Sequence, residues 1–327
     1  AGAAAGTAGD GDSAVDISLA SVTIQNGTVT YNNIGAAQSE SITGLNLAIA
    51  APSLHGPFAI SGDAQYRGLP VTMDLKTGPV SDGRPITIAL NAALPETGAS
   101  VKFNGAVSDT GPDAQVTGDL VISGDSADRI AAIATGSGVS PMLKQPVSVE
   151  AALSASRKAV ALNDARIRFG ETLGNGAVSV SLGYVIGIDV AISVNRIDLD
   201  KVLAEFAASP GKPAAAQAAP AGGSAPAAKP TAPAAFSLPK NINASLDLGV
   251  EAIQYNGGVI RQAGIRGSLA NGAVTLDHAS ALLPGGSDVS LVGFLQPVNG
   301  QPKFDGDVAI ASDSLRSLLQ WIGVGTA

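Results

Sequence analysis

Apolar and polar residues alternate along most of this chain, in short runs. The clearest is Ile86-Thr87-Ile88-Ala89-Leu90-Asn91-Ala92-Ala93-Leu94. Successive side chains of a strand point to opposite faces. Ile86, Ile88, Leu90, Ala92 and Leu94 therefore share one face, and Thr87, Ala89, Asn91 and Ala93 the other. Val101-Lys102-Phe103 is its neighbour across Gly98. Val178-Ser179-Val180-Ser181-Leu182-Gly183-Tyr184 and the run from Ile188 to Val194 alternate in the same way. Other predicted strands include Val22 to Ile24 and Val29 to Tyr31, joined by a hairpin at Asn26-Gly27, then Leu45 to Ile49 and Val71 to Leu75. Val116 to Ile122, Val147 to Leu153, Ala165 to Phe169, Leu246 to Val250, Val274 to Leu276 and Val289 to Leu291 continue the series. Frequent strands with polar turns between them predict an antiparallel meander.

One pattern occurs three times. Asp119-Leu120-Val121-Ile122, Asp189-Val190-Ala191-Ile192 and Asp307-Val308-Ala309-Ile310 each lead into a short amphipathic segment. These segments start near Ser126, Ile197 and Asp313, and they predict short helices that cap the sheet. Asp198 and Asp200 sit where acids favour a helix amino terminus, so they read as capping residues rather than a catalytic pair. Repetition of a strand-rich unit favours an extended surface or groove over one unique site.

Two tracts break the alternation. Residues 1–13 are mostly Ala, Gly, Thr and Asp, and residues 209–235 are almost wholly Ala, Pro, Gly, Lys, Gln, Ser and Thr. Neither holds enough apolar surface to offset its ordering entropy. The expected organisation is a tail over 1–13, β-repeats over 14–208, a flexible loop over 209–235 and a further β-repeat over 236–327. The chain reads as a piece of a longer protein.

Composition narrows the chemistry. Apolar residues make up 45% of the chain while aromatics make up only 4%, so the strands are aliphatic. A net charge of −8 without Lys/Arg clusters speaks against nucleic acid. Absence of Cys removes thiolate metal sites and cysteine nucleophiles. His55 precedes Gly56-Pro57 and reads as a turn residue, His278 reads as a strand end, and neither has ligand-spaced companions. Gly136-Ser137-Gly138 lacks the Lys of a phosphate loop. The expectation is a protein that is not an enzyme, with no cofactor and no metal.

The aliphatic faces must be covered. One reading packs them in a closed, dry core, as in a structural or adhesive β-repeat protein. The other leaves a curled sheet open, with lipid hydrocarbon filling it at about 0.8 kcal/mol per buried methylene.

The order of several short motifs resembles the AsmA family. Val22-Thr23-Ile24-Gln25-Asn26-Gly27-Thr28-Val29-Thr30-Tyr31-Asn32 is similar to the family's opening, and Gly62-Asp63-Ala64-Gln65-Tyr66-Arg67-Gly68 continues it. Ala165 to Gly170, Asn175 to Val178 and Arg196 to Asp200 resemble its central part. Ile253 to Gly257, Leu269 to Leu276 and Pro284-Gly285-Gly286 resemble its carboxy-terminal part. The resemblance implies a mainly β fold, an elongated curled antiparallel sheet (a repeating β-groove) with a few short amphipathic helices. It also implies a periplasmic protein tethered to the inner membrane through an anchor missing from this chain. Its role would be to bind or conduct phospholipid acyl chains between inner and outer membranes, in support of outer-membrane assembly. The residues expected to line the groove are Ile86, Ile88, Leu90, Val101, Phe103, Val178, Val180, Leu182, Ile188, Val190 and Ile192.

Overall fold

The computed structural model describes residues 19–33, 38–53, 55–81, 83–108, 111–129, 144–208, 238–298 and 301–324. The tail 1–13, the loop 209–235, the second half of the first amphipathic segment (130–133) and Gly136-Ser137-Gly138 lie outside them. The fold is mainly β, a single long sheet of sixteen strands, curled and unclosed, with a few short helices.

Strand order in space follows strand order in sequence. The first half holds β1 (Leu19–Asn33), β2 (Gln38–Ala51), β3 (Ala59–Tyr66), β4 (Leu69–Thr77), β5 (Ile86–Leu94), β6 (Ala99–Val107), β7 (Gln115–Gly124) and β8 (Val147–Ser156). The second holds β9 (Ala159–Phe169), β10 (Thr172–Ser181), β11 (Ile186–Asp198), β12 (Ile242–Tyr255), β13 (Gly258–Ala270), β14 (Ala273–Leu283), β15 (Ser287–Val298) and β16 (Gln301–Ser312). At about 4.8 Å per strand, sixteen strands extend the sheet to about 70 Å across its ladders.

Two features depart from the simple meander. β11 and β12 pair in parallel, from Ile186 opposite Ile242 to Asp198 opposite Gln254. A parallel neighbour needs a crossover connection rather than a hairpin, and the Ala/Pro-rich tract lies between these two strands. The second departure is at Asn26-Gly27, which forms no hairpin. Asn26 takes a φ of 52° inside β1, where the register to β2 shifts, so this is a bulge within one 15-residue strand. The Asn46 side chain accepts a hydrogen bond from the Asn26 backbone N–H at 3.0 Å, which satisfies the donor that the bulge displaces from the ladder.

Chain direction gives the sheet two unlike margins. β5, β7, β11 and β16 all run toward the same margin. There they meet a 3₁₀ turn (Pro95–Thr97), a helical turn at 127–129, helix α1 (Leu199–Ala208) and helix α2 (Leu315–Trp321). The three Asp-x-x-Ile strands are β7, β11 and β16, so the repeated sequence marks this helical margin. The Asp198 carboxylate accepts the Lys201 backbone N–H at 3.0 Å and caps α1. Asp200 accepts the Asn256 backbone N–H at 2.9 Å and ties α1 to the β12–β13 turn. α2 buries Leu318, and Trp321 meets the Tyr255 ring edge-on at 5.9 Å while its indole N–H donates to the Tyr255 carbonyl at 3.1 Å. The opposite margin, among the described residues, is made of turns.

Candidate functional site

Cross-strand partners share a face, so the register places every inward side chain. One row can be followed from strand to strand: Val22, Ile49, Ile60, Leu75, Leu90, Phe103, Leu120 and Ala151 on β1 to β8. A second stretch runs through Ala165, Gly176, Ile192, Leu248, Ile265, Ala279, Leu291 and Val308 on β9 to β16. Each of the sixteen strands contributes one residue, and none of those residues is polar. The neighbouring row on the other face reads Ser61, Asp74, Asn91, Lys102, Val121, Glu150, Arg166, Asn175 and Ser193. From β3 to β11 the sheet is amphipathic, apolar on one face and mostly polar on the other.

Among the described residues no second β-layer covers the apolar face, because all strands belong to one sheet. Among the described residues, only Ala51, Ala99, Phe103, Ala151, Ala165, Val250 and Leu318 are buried apolar residues. Most of the row is half-buried, as in β3, where Ile60 and Gly62 are sheltered while Ala59 and Ser61 are exposed. Curling shelters the inner face without closing it.

Two Phe–Gly arrangements shape that face. Gly105 of β6 pairs with Gly118 of β7, and the Phe103 ring lies over them. A Cβ on Gly105 would sit 2.5 Å from Phe103 Cζ. Gly293 pairs with Gly306 in β15 and β16, and a Cβ on Gly293 would sit 2.6 Å from Phe304 Cζ. The absent side chains let each ring lie flat against the backbone, leaving a smooth apolar floor.

A cavity of about 380 Å³ opens on the same face over β2 to β5. Ile42, Leu45, Leu47, Tyr66, Val71, Met73 and Leu94 surround it. Asp63 is its one charged neighbour, and that carboxylate accepts the Asn46 side-chain amide at 3.0 Å. Beside it the Arg67 guanidinium pairs with Glu40 and stands 5.2 Å from the Tyr66 ring centroid. Hydrogen bonding to Arg67 holds the Glu40 carboxyl below the usual carboxylate range.

Ten of the eleven predicted lining residues fall in two groups on the apolar face. Ile86, Ile88 and Leu90 of β5 stand with Val101 and Phe103 of β6, where Leu90 is directly opposite Phe103. Val178 and Val180 of β10 face Val190 and Ile188 of β11, and Ile192 is opposite Gly176. Leu182 is placed differently. It follows the last residue of β10, in the turn to β11, and is 51% exposed. The sequence reading missed the contribution of β1 to β4, including the cavity, that of β7 to β9 and that of β12 to β16. Their signal is the same alternation, interrupted by bulges.

The two histidines belong to different parts of the fold, His55 between β2 and β3 and His278 in β14. His278 lies inside β14 opposite Arg266, rather than at a strand end, and the His55 carbonyl accepts the Val80 backbone N–H at 2.6 Å. No group of three or more His, Asp or Glu side chains among the described residues could hold a metal ion. On the polar face, Asp189 accepts hydrogen bonds from Ser179 at 3.2 Å and Ser245 at 2.5 Å, and Arg266 pairs with Asp247 at 2.6 Å. These are cross-strand ties between outward residues. Comparison with protein-family models, with curated proteins and with solved structures gives no match.

Proposed function

We propose that this chain is a lipid-binding segment of an AsmA-like protein, in which the inner face of the curled sheet holds the acyl chains of phospholipid. Supporting this reading above all are the two apolar stretches, meeting at the β8–β9 bulge, to which every strand of the single open sheet contributes a residue. Hydrocarbon needs no polar recognition group, and a chain moving from one strand to the next exchanges one aliphatic contact for an equivalent one. The free energy along such a path is nearly level, which suits conduction as well as storage.

In this role the protein does no covalent chemistry and needs no cofactor. Ile86, Ile88, Leu90, Val101 and Phe103 form one part of the wall, and Val178, Val180, Ile188, Val190 and Ile192 another. The compartment proposed is the periplasm, with the parent protein tethered to the inner membrane and lipid passing toward the outer one. Native mass spectrometry of material purified without harsh detergent tests the reading. Phospholipid adducts on the folded chain are expected, and a clean apo mass under conditions that preserve other lipid complexes would overturn it.

A further inference from the structure

The β10–β11 turn carries side chains that the groove does not use. Leu182, Gly183, Tyr184 and Val185 project at the turn margin, with Leu182 51% and Tyr184 101% exposed. The loop is pinned at its base. The Leu182 N–H donates to the Lys158 carbonyl at 2.6 Å, and the Ile186 N–H donates to the Asn241 carbonyl at 3.0 Å. Those two bonds bring cationic neighbours alongside: exposed Arg157 and Lys158 on the β8–β9 turn, and exposed Lys240 before β12. A Cβ on Gly272 would lie 3.1 Å from the Lys240 side chain, so the β13–β14 turn continues the same margin. None of residues 157–158, 182–185, 240–241 and 271–272 is acidic, in a chain whose net charge is −8. The nearest described acid on an adjoining turn is Asp113, between β6 and β7.

We propose that this margin docks on an anionic bilayer surface, with Leu182, Tyr184 and Val185 entering the interface and Arg157, Lys158 and Lys240 meeting lipid phosphates. A tyrosine with an apolar body and a polar tip suits the headgroup level, and leucine beside it reaches the acyl boundary. Cations near an anionic surface each add attraction that falls off within a Debye length of about 8 Å, so a local basic margin acts despite the acidic whole. The surface is separate from the groove, and its occupancy does not depend on whether the groove carries lipid.

Vesicle flotation tests the proposal with the full chain. Phosphatidylcholine vesicles with about one-third phosphatidylglycerol should carry the protein upward, and pure phosphatidylcholine vesicles should not. Salt at ~1 M should abolish the difference, because the Debye length falls to about 3 Å. Tyr184→Asp with Leu182→Ser should reduce co-flotation about tenfold with unchanged thermal unfolding, since both side chains are exposed in the free protein. Arg157→Glu with Lys240→Glu should remove the preference for anionic vesicles. Leu90→Asp, inside the groove, should leave flotation intact. Flotation that ignores phosphatidylglycerol, or that survives both double variants, would overturn the proposal.

Discussion

Leu90→Asp places one charge in the middle of the apolar row and separates a groove from a dry core. Leu90 is half-buried and stands between Leu75 and Phe103 in direct register. Full burial of a leucine is worth about 1.5–3 kcal/mol, so removing a half-buried one costs about 1–1.5 kcal/mol of stability. At ~2–4 °C per kcal/mol, the melting temperature should fall by only a few degrees. Loading should suffer much more. A bound acyl chain loses contact with about two methylene equivalents, ~1.6 kcal/mol, and meets an incompletely solvated carboxylate at a further cost of about 1–3 kcal/mol. Together these lower affinity by about two to three orders of magnitude. Asn91→Asp is the control, since it adds the same charge one residue along the same strand on the outer face. Native mass spectrometry should show lipid adducts on Asn91→Asp and almost none on Leu90→Asp, with similar unfolding curves. Equal loading of the two variants would refute the argument, and so would a Leu90→Asp chain that is unfolded outright, which would make the row a packed interior.

Other consequences follow from the same geometry. Gly105→Val should destabilise the β6–β7 pair by several kcal/mol, because its Cβ would meet the Phe103 ring at 2.5 Å and the partner backbone closer still; thermal unfolding checks it, and an unchanged midpoint contradicts the Phe–Gly floor. Trp321, the sole tryptophan, reports on the helical margin. Tyr255→Ala should red-shift its fluorescence, and a fixed spectrum would argue against the edge-on contact. The Asp198 carboxyl is held below its ordinary value chiefly by the backbone N–H of Lys201. Its contribution to stability is therefore present above the ordinary aspartate range and lost as pH falls through the lowered folded-state value. Far-UV circular dichroism should show helix loss on acidification below the ordinary range, and Asp198→Ala should remove that step. Persistence of the step in Asp198→Ala would assign it elsewhere.

The mainly β, curled fold and the β5–β6 and β10–β11 walls were legible because those strands alternate without interruption. β9 shows why others were not. Val160 and Leu162 face inward on even positions, but Ala165, Ile167 and Phe169 do so on odd ones. Asp164, at a φ of 50°, absorbs the extra residue between them. A one-residue bulge reverses the parity of everything after it, so a fixed period of two reads such a strand as two weak fragments. β1 switches in the same way between Ile24 and Gly27, and β14 between Leu276 and Ala279. The Leu182 placement fails for a related reason. Alternation continues past the end of β10, and nothing in Val-Ser-Val-Ser-Leu-Gly-Tyr marks where pairing stops. The parallel β11–β12 pair was illegible because composition does not encode the direction in which a strand resumes after a long low-complexity tract.

Site-specific photo-crosslinking in cells probes the open inner face most directly. A photoreactive residue at Leu75, Leu120 or Leu291 on the inner row should capture phospholipid, and one at Asn91 or Asp119 on the outer face should not. Lipid adducts of equal yield from both faces, or none from the inner row, would contradict a sheet whose apolar side is filled by hydrocarbon.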